Sequence, residues 1–302
     1  MANSVQKAEK VHRFLSKDGL IRVSAVIAPE LILEVQKINA MSPLAVIAAG
    51  RATIACILLA SHQKDDRVSL LFDGNGPIGK IFVESSYDGK TRAYVTNPAV
   101  HLEFKEDKFD VSGAVGIGLL HVTQISKLQK TPYRGTVIIK TGEIGSDIAF
   151  YLEQSHQIPS IVALGISVDK NGMVNSAGGV LVELMPGHTD ATIVKLEKNV
   201  ANAKGVSEMI ADGYDAKKLV KEYLGDIEVD EISHDYPLTY SCSCSEDRVK
   251  NSLMLLGEKE VEDLSNNEDP TEIRCDFCGK KYYFSSIELK ELIKDIQKKA
   301  MH

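Results

Sequence analysis

The sequence predicts an α+β chain: an N-terminal domain of largely antiparallel sheet with buried helices, then a helical linker, then a small C-terminal four-cysteine domain. Three observations predict it. Most of the stretch from Arg67 to Leu184 falls into short strand-like runs separated by Gly and Asp-Gly turn signals. After Met185-Pro186-Gly187 the alternation stops, and apolar residues recur at helical spacing. Four of the five cysteines then stand in two close pairs, Cys242 with Cys244 and Cys275 with Cys278.

At 302 residues the chain exceeds what one compact core usually organises, so two or three units are expected. Hydrophobic and charged fractions of 44% and 25% are those of ordinary globular domains. A net charge of -7 argues against a chain whose main business is gripping phosphate backbones, so nucleic acid is not the expected partner. Met1 to Arg13 alternates polar and charged residues without an apolar core, so no secretory signal is expected and the compartment is read as cytoplasmic. In that reducing setting, paired cysteines mean metal or catalysis more often than permanent disulfides.

In chain order, Gly19 to Ala28 reads as a strand and Pro29 to Asn39 as a helix, and Ser42-Pro43 supplies an N-cap and first-turn proline for a second helix. That helix carries the apolar run Leu44 to Ala60. Arg51 interrupts the run and would cost about 2.5–3.5 kcal/mol at mid-bilayer, so a buried helix is expected and no membrane span. From Arg67 the runs VSLLFDG, GKIFVESSYDG and KTRAYVTNP form a meander. A strand over Gly135 to Lys140 leads into a helix over Ser146 to Ser155. IVALGISV and MVNSAGGVLVEL then flank Asp169-Lys170-Asn171-Gly172 as a hairpin. Beyond Gly187, Leu196, Val200, Met209, Leu219, Val220 and Tyr223 lie on helical stripes that need cover. Gly205, Gly213 and Gly225 cut these helices into pieces shorter than the about 12–15 residues that persist alone in water. They read as helices docked on the first domain, a state compatible with a conditionally exposed binding surface.

The cysteines carry the strongest signal. Two pairs separated by thirty residues fit a tetrahedral four-thiolate site for one zinc ion per chain, with Cys242, Cys244, Cys275 and Cys278 as ligands. Cys275-Asp-Phe-Cys278-Gly279 looks like a zinc knuckle whose glycine permits the tight turn. The other pair departs from that pattern, with one intervening residue. If oxidised together, Cys242 and Cys244 would close a very small ring, and strained disulfides are the readily reversed ones. Thiolates on zinc are already deprotonated and so open to oxidants. Structural zinc contributes on the order of 10–16 kcal/mol to a small domain, so its loss is expected to unfold Tyr240 to His302. No thioredoxin-like pattern surrounds Cys275 and Cys278, which disfavours a dithiol oxidoreductase.

Other motifs read as structure. Gly74-Asn-Gly-Pro-Ile-Gly79-Lys80 mimics a phosphate loop, but Ile81 stands where Ser or Thr would meet magnesium, and a strand follows instead of a helix. A hairpin turn is expected there. Cys56 lies inside the apolar helix as a core residue without assigned function. The histidines form no zinc-deaminase pattern, four sulfurs leave no open coordination position, and no catalytic residue or enzyme activity is assigned. Lys280, Lys281, Lys290, Lys294, Lys298 and Lys299 are interspersed with acids and read as a solvated face.

Beyond these readings the chain resembles the redox-regulated heat-shock holdases, the heat-shock protein thirty-three family, over nearly its whole length. The likeness rests on Cys242-Ser-Cys-Ser-Glu-Asp-Arg-Val249, Cys275-Asp-Phe-Cys-Gly279, Ala48-Ala-Gly-Arg51, Asp73-Gly-Asn-Gly-Pro77, Gly142-Glu-Ile-Gly-Ser-Asp147 and Met185-Pro-Gly187. Asp247 and His188 depart from the family's usual residues without touching a ligand position. The resemblance implies a chaperone domain over 1–186, a helical linker over 187–238 and a zinc-binding redox-switch domain over 239–302. It implies an ATP-independent stress chaperone, inactive when reduced and zinc-bound. Oxidation would then form two disulfides, Cys242 to Cys244 and Cys275 to Cys278, and expel zinc. The activated homodimer would hold unfolding client proteins and pass them to ATP-dependent foldases. A zinc-ribbon adaptor for nucleic acid or assembly is the alternative that the cysteines alone leave open.

Overall fold

The computed structural model describes residues 8–300 apart from 63, 65, 128, 129 and 268, and gives no account of the side chains of Lys299 and Ala300. The first residues of the polar N-terminal stretch, Met1 to Lys7, lie outside the described residues, as do Met301 and His302. The chain divides into two compact units, Met1–Ser241 and Cys242–His302.

The first unit runs β1 (Val11–Ser16), β2 (Ile21–Ile27), α1 (Pro29–Asn39), α2 (Pro43–Ala60), β3 (Arg67–Gly74), β4 (Lys80–Ser86), β5 (Lys90–Val95), α3 (Val111–Val115), β6 (Gly118–Ile125) and β7 (Tyr133–Ile138). It continues with α4 (Gly145–Tyr151), a π-helical turn (Leu152–His156), β8 (Ser160–Val168), β9 (Val174–Leu184), α5 (Asp190–Asn202), α6 (Val206–Ala211), α7 (Ala216–Leu224), β10 (Val229–Ile232) and β11 (Thr239–Tyr240). One sheet has the order β10-β1-β2-β9-β8 and the other β11-β5-β4-β3-β6-β7. Pairing is antiparallel except between β11 and β5, so the α+β reading with largely antiparallel sheet holds.

Helix α2 forms the centre of the first core. It begins as the sequence predicts: Pro43 occupies the first turn, and the Ser42 hydroxyl accepts the Ala45 N–H at 3.2 Å. It is apolar on all sides and buried nearly throughout, the pattern of a helix enclosed in a core. Its length and composition would also suit a membrane span, but its apolar surface is already covered by Val26 and Ala177 of one sheet and Leu70, Phe72, Val83 and Leu120 of the other. Arg51 is half-buried, and its guanidinium pairs with Glu143 at 2.8 Å.

The opposite face of the five-stranded sheet is covered by α5, α6 and α7. Leu196, Val206, Met209, Leu219 and Tyr223 meet Phe14, Val23, Ala25, Val180 and Val182 in a second core. With both faces covered, β9 is buried along nearly all its length, and its stretch from Ala177 to Val182 carries no polar side chain. The helices therefore dock on the sheet, as their apolar stripes require.

Several elements differ from the sequence expectation. The three-stranded meander becomes a six-stranded sheet because β6 inserts between β3 and β7, and β11 adds at the other edge. The strand expected over Gly135 to Lys140 starts at Tyr133, where it pairs with Gln124 of β6. The helix expected over Ser146 to Ser155 splits into α4 and the π turn, with Tyr151 Oη 2.8 Å from His156 Nε2. The glycine-rich stretch after β3 is the expected hairpin connection, closed by the Asp73↔Lys80 pair. A Cβ on Gly74 would lie 2.0 Å from the Val115 carbonyl oxygen, which only glycine avoids. Gly74→Ala is expected to cost about 1–3 kcal/mol by overpacking, read as a lowered urea midpoint; an unchanged midpoint would show that this contact relaxes freely.

The second unit holds α8 (Glu246–Leu256), α9 (Glu258–Ser265), the hairpin of β12 (Thr271–Arg274) and β13 (Lys281–Phe284), and α10 (Ser286–Ala300). Its core is small: Leu253, Val261, Tyr282, Phe284, Leu289 and Leu292. A core of that size rarely supplies more than about 3–5 kcal/mol, so such a unit needs a staple.

Candidate metal centre

The four cysteines come from two places in the second unit. Cys242 and Cys244 lie on the extended segment before α8, whose N-cap Ser245 accepts the Arg248 N–H at 3.3 Å. Arg248 also donates from its guanidinium to the Ser243 hydroxyl between the two cysteines. Cys275 and Cys278 sit in the turn between β12 and β13. That turn is a knuckle: Cys275 N–H donates to Lys280 O at 2.9 Å, and Gly279 N–H donates to Cys275 O at 2.8 Å. Gly279 has φ +70°, a conformation that favours glycine.

The thiols are free, and their four sulfurs lie within 4.8 Å of one another. Cys242 Sγ is 3.7 Å from Cys275 Sγ, and Cys244 Sγ is 3.4 Å from Cys278 Sγ. Those separations are far beyond a disulfide bond of about 2.05 Å. They are close to the sulfur–sulfur edge of about 3.8 Å that follows from a tetrahedron with metal–sulfur bonds of about 2.3 Å. The residues fit a four-thiolate metal ion in number, chemistry and spacing. Only this group of His, Cys, Asp and Glu side chains among the described residues meets at such distances.

Local fields differ from sulfur to sulfur. Burial pushes the Cys278 thiol up to about 12, and neighbouring thiols add to the rise. Cys275 is also raised, chiefly by burial, although the backbone N–H groups of Cys278 and Phe277 oppose the rise. At Cys244 burial acts in the same direction, but hydrogen bonds from Tyr282 and the other thiols outweigh it and lower the group to about 7. Protons on Cys244, Cys275 and Cys278 are thus held unevenly, and a cation at the centre of the cluster would be the counter-charge that favours the thiolates.

Tyr282 is the partner that sequence reasoning left without a role. Its hydroxyl donates to Cys244 Sγ at 3.1 Å, and the ring is buried in the core of the unit. The β12–β13 register, with Ile273 opposite Tyr282, brings this about across 38 positions of sequence. Removing such a ligand-orienting group typically costs 10–100-fold in metal affinity, so Tyr282→Phe is expected to weaken metal binding by about tenfold in chelator competition. Equal affinity in the variant would leave the hydroxyl without a role. Cys56, in contrast, stays out of the cluster: it is buried in α2, its S–H donates to Val68 O at 3.2 Å, and burial pushes its thiol up to about 12.

An α+β unit built around an enclosed helix, followed by a small unit in which four cysteines converge and could hold a metal, defines the class of chain. The family model described as Hsp33 protein matches residues 9–285, and the chain belongs to that family. It is 38% identical over 284 residues to the 33 kDa chaperonin of Desulfotalea psychrophila, covering 93% of this chain and 96% of that one. To the 33 kDa chaperonin of Bacillus subtilis it is 36% identical over 281 residues, covering 92% and 96%. The crystal structure of the 33 kDa chaperonin of Thermotoga maritima, a heat shock protein 33 homolog, superposes with a TM-score of 0.85 at 32% identity. It covers 95% of this chain and 98% of that chain. Membership makes this chain a chaperone, a class defined by binding client proteins rather than by turnover.

Proposed function

We propose that the chain is a redox-regulated, ATP-independent holdase whose switch is Cys242, Cys244, Cys275 and Cys278, the ligands of one zinc ion in the reduced state. The observation that carries this reading is the convergence of four free sulfurs within 4.8 Å in a unit with a small core. Zinc, when bound, supplies the charge that keeps all four sulfurs deprotonated and ties two distant chain segments together. A thiolate site of this kind fits the reducing cytoplasm.

Under oxidative stress each pair of thiolates gives two electrons to one peroxide molecule, which takes up two protons from solvent and leaves as two waters while an S–S bond forms. Oxidised sulfurs are no longer ligands, so the second unit loses its staple. The shortest sulfur contacts run between the pairs, Cys242 with Cys275 and Cys244 with Cys278. Pairing of Cys242 with Cys244 and of Cys275 with Cys278 is supported by family likeness and by loop-closure entropy, which favours near neighbours once residues 245–274 lose order. Apolar surface then becomes available to unfolding clients. The activated form dimerises and yields its clients to ATP-dependent foldases.

The test is light scattering by a heat-unfolding client with reduced, zinc-loaded protein and with peroxide-treated protein. Suppression is expected only after oxidation. Equal suppression by the reduced form would remove the switch, and catalytic reduction of insulin disulfides would move the site to an oxidoreductase.

A further inference from the structure

The end of the first unit is an extended strap, residues 226–241, laid along an edge of each sheet. β10 pairs antiparallel with β1 in the register Phe14↔Glu231 and Ser16↔Val229, and β11 pairs parallel with β5. Leu238 N–H donates to Glu9 O at 2.8 Å, Thr239 N–H to Gly89 O at 3.0 Å and Ser241 N–H to Thr91 O at 2.8 Å. The last of these bonds stands one residue before Cys242.

The strap is acidic where the edge is basic. Glu231 meets Lys217 at 2.8 Å and His12 at 2.7 Å, Asp235 meets Lys10 at 2.6 Å, Glu228 pairs with Lys17, and Asp226 pairs with Lys195. Ile227 and Val229, between these acids, pack against the second core. The fit is incomplete: a cavity of about 360 Å³ remains beneath the strap, lined in part by Phe14, Val220 and Leu224. Exposed ion pairs are individually weak and screened by salt, and a strand on an edge is held chiefly by main-chain hydrogen bonds. Such a segment can be exchanged for another of the same pattern.

We infer that the edge of β1, once the strap is displaced, is a docking site for an extended segment of a client chain in which apolar and acidic residues alternate. The strap is a built-in copy of that ligand, with Asp226-Ile-Glu-Val-Asp-Glu-Ile232 as the pattern. Backbone pairing tolerates many sequences, while Lys10, Lys17, Lys195 and Lys217 select for acids. Displacement by oxidation rests on the proposed redox switch; the edge itself does not.

The test uses a fluorescein-labelled peptide of residues 226–236, followed by anisotropy against the full chain. Oxidised protein is expected to bind it, and to bind a peptide with every Asp and Glu replaced by Asn and Gln on the order of tenfold more weakly. Raising salt should erase that difference. Lys17→Glu with Lys217→Glu should weaken the acidic peptide and spare the neutral one. A second protein, with Glu228→Lys, Asp230→Lys and Glu231→Lys, loosens its own strap and is expected to bind the acidic peptide while reduced and zinc-loaded. Equal binding of the two peptides, or none by either protein, overturns the inference. So does binding that disappears as the chain dimerises, which assigns the edge to the strap of a second copy. Oxidised protein that suppresses aggregation without binding the peptide sinks the edge and spares the holdase. Peptide binding by the loosened variant, with no suppression after oxidation, does the reverse.

Discussion

Cys278→Ser is expected to release the zinc and unfold the second unit. A serine hydroxyl is a poor ligand for zinc, and the remaining three sulfurs cannot close the tetrahedron. With zinc bound as proposed, the expected loss is large: a structural four-ligand site contributes on the order of 10–16 kcal/mol, against about 3–5 kcal/mol from apolar burial in so small a unit. Hydrogen exchange should report lost protection across α8, β12, β13 and α10, with β2, β9 and α2 still protected, and zinc content should fall well below one per chain. A variant that keeps its zinc and its protection would show that Cys278 is not a ligand.

Glu183→Ala is expected to destabilise the first unit by about 3 kcal/mol. Glu183 lies on β9 with 1% of its surface exposed, and it accepts two hydrogen bonds from the Arg22 guanidinium at 2.9 and 3.0 Å. Burial pushes the carboxyl up, and Arg22 opposes the rise. His62 Nε2 lies 3.1 Å from the same carboxylate without hydrogen-bond alignment, and burial, with Arg22 and Arg13, holds that imidazole well below its usual range. Truncation leaves the guanidinium beside a neutral imidazole with no anion, and only its partial exposure limits the cost. Urea unfolding should show the lower midpoint with an unchanged slope, and Glu183→Gln, which keeps an acceptor, should lie between. A loss of unfolding free energy below about 0.5 kcal/mol would mean that water replaces the carboxylate without loss.

The parts of this fold legible in the sequence are those whose pattern is set locally. Helix α2 announces itself through Ser42, Pro43 and an unbroken apolar run, and the β8–β9 hairpin through Asp169 to Gly172. β1 was not legible, because His12 and Arg13 interrupt its apolar residues and become acceptable only where β10 brings Glu231 against His12. β10 and β11 are too short and too polar to read as strands, and they exist because distant sheet edges offer them partners. The same division runs through the metal centre. Cysteine spacing alone grouped the four sulfurs that the structure brings together. Tyr282 was invisible as their partner, since its role depends on a strand register that no local pattern encodes.

One measurement reaches the central claim most directly. Peroxide is added in steps to the reduced, zinc-loaded chain at an elevated temperature, and released zinc and suppression of client aggregation are read from the same samples. Both are expected to rise together, ending near one zinc per chain and full suppression. Full suppression before any zinc is released, or complete release without suppression, would contradict that claim.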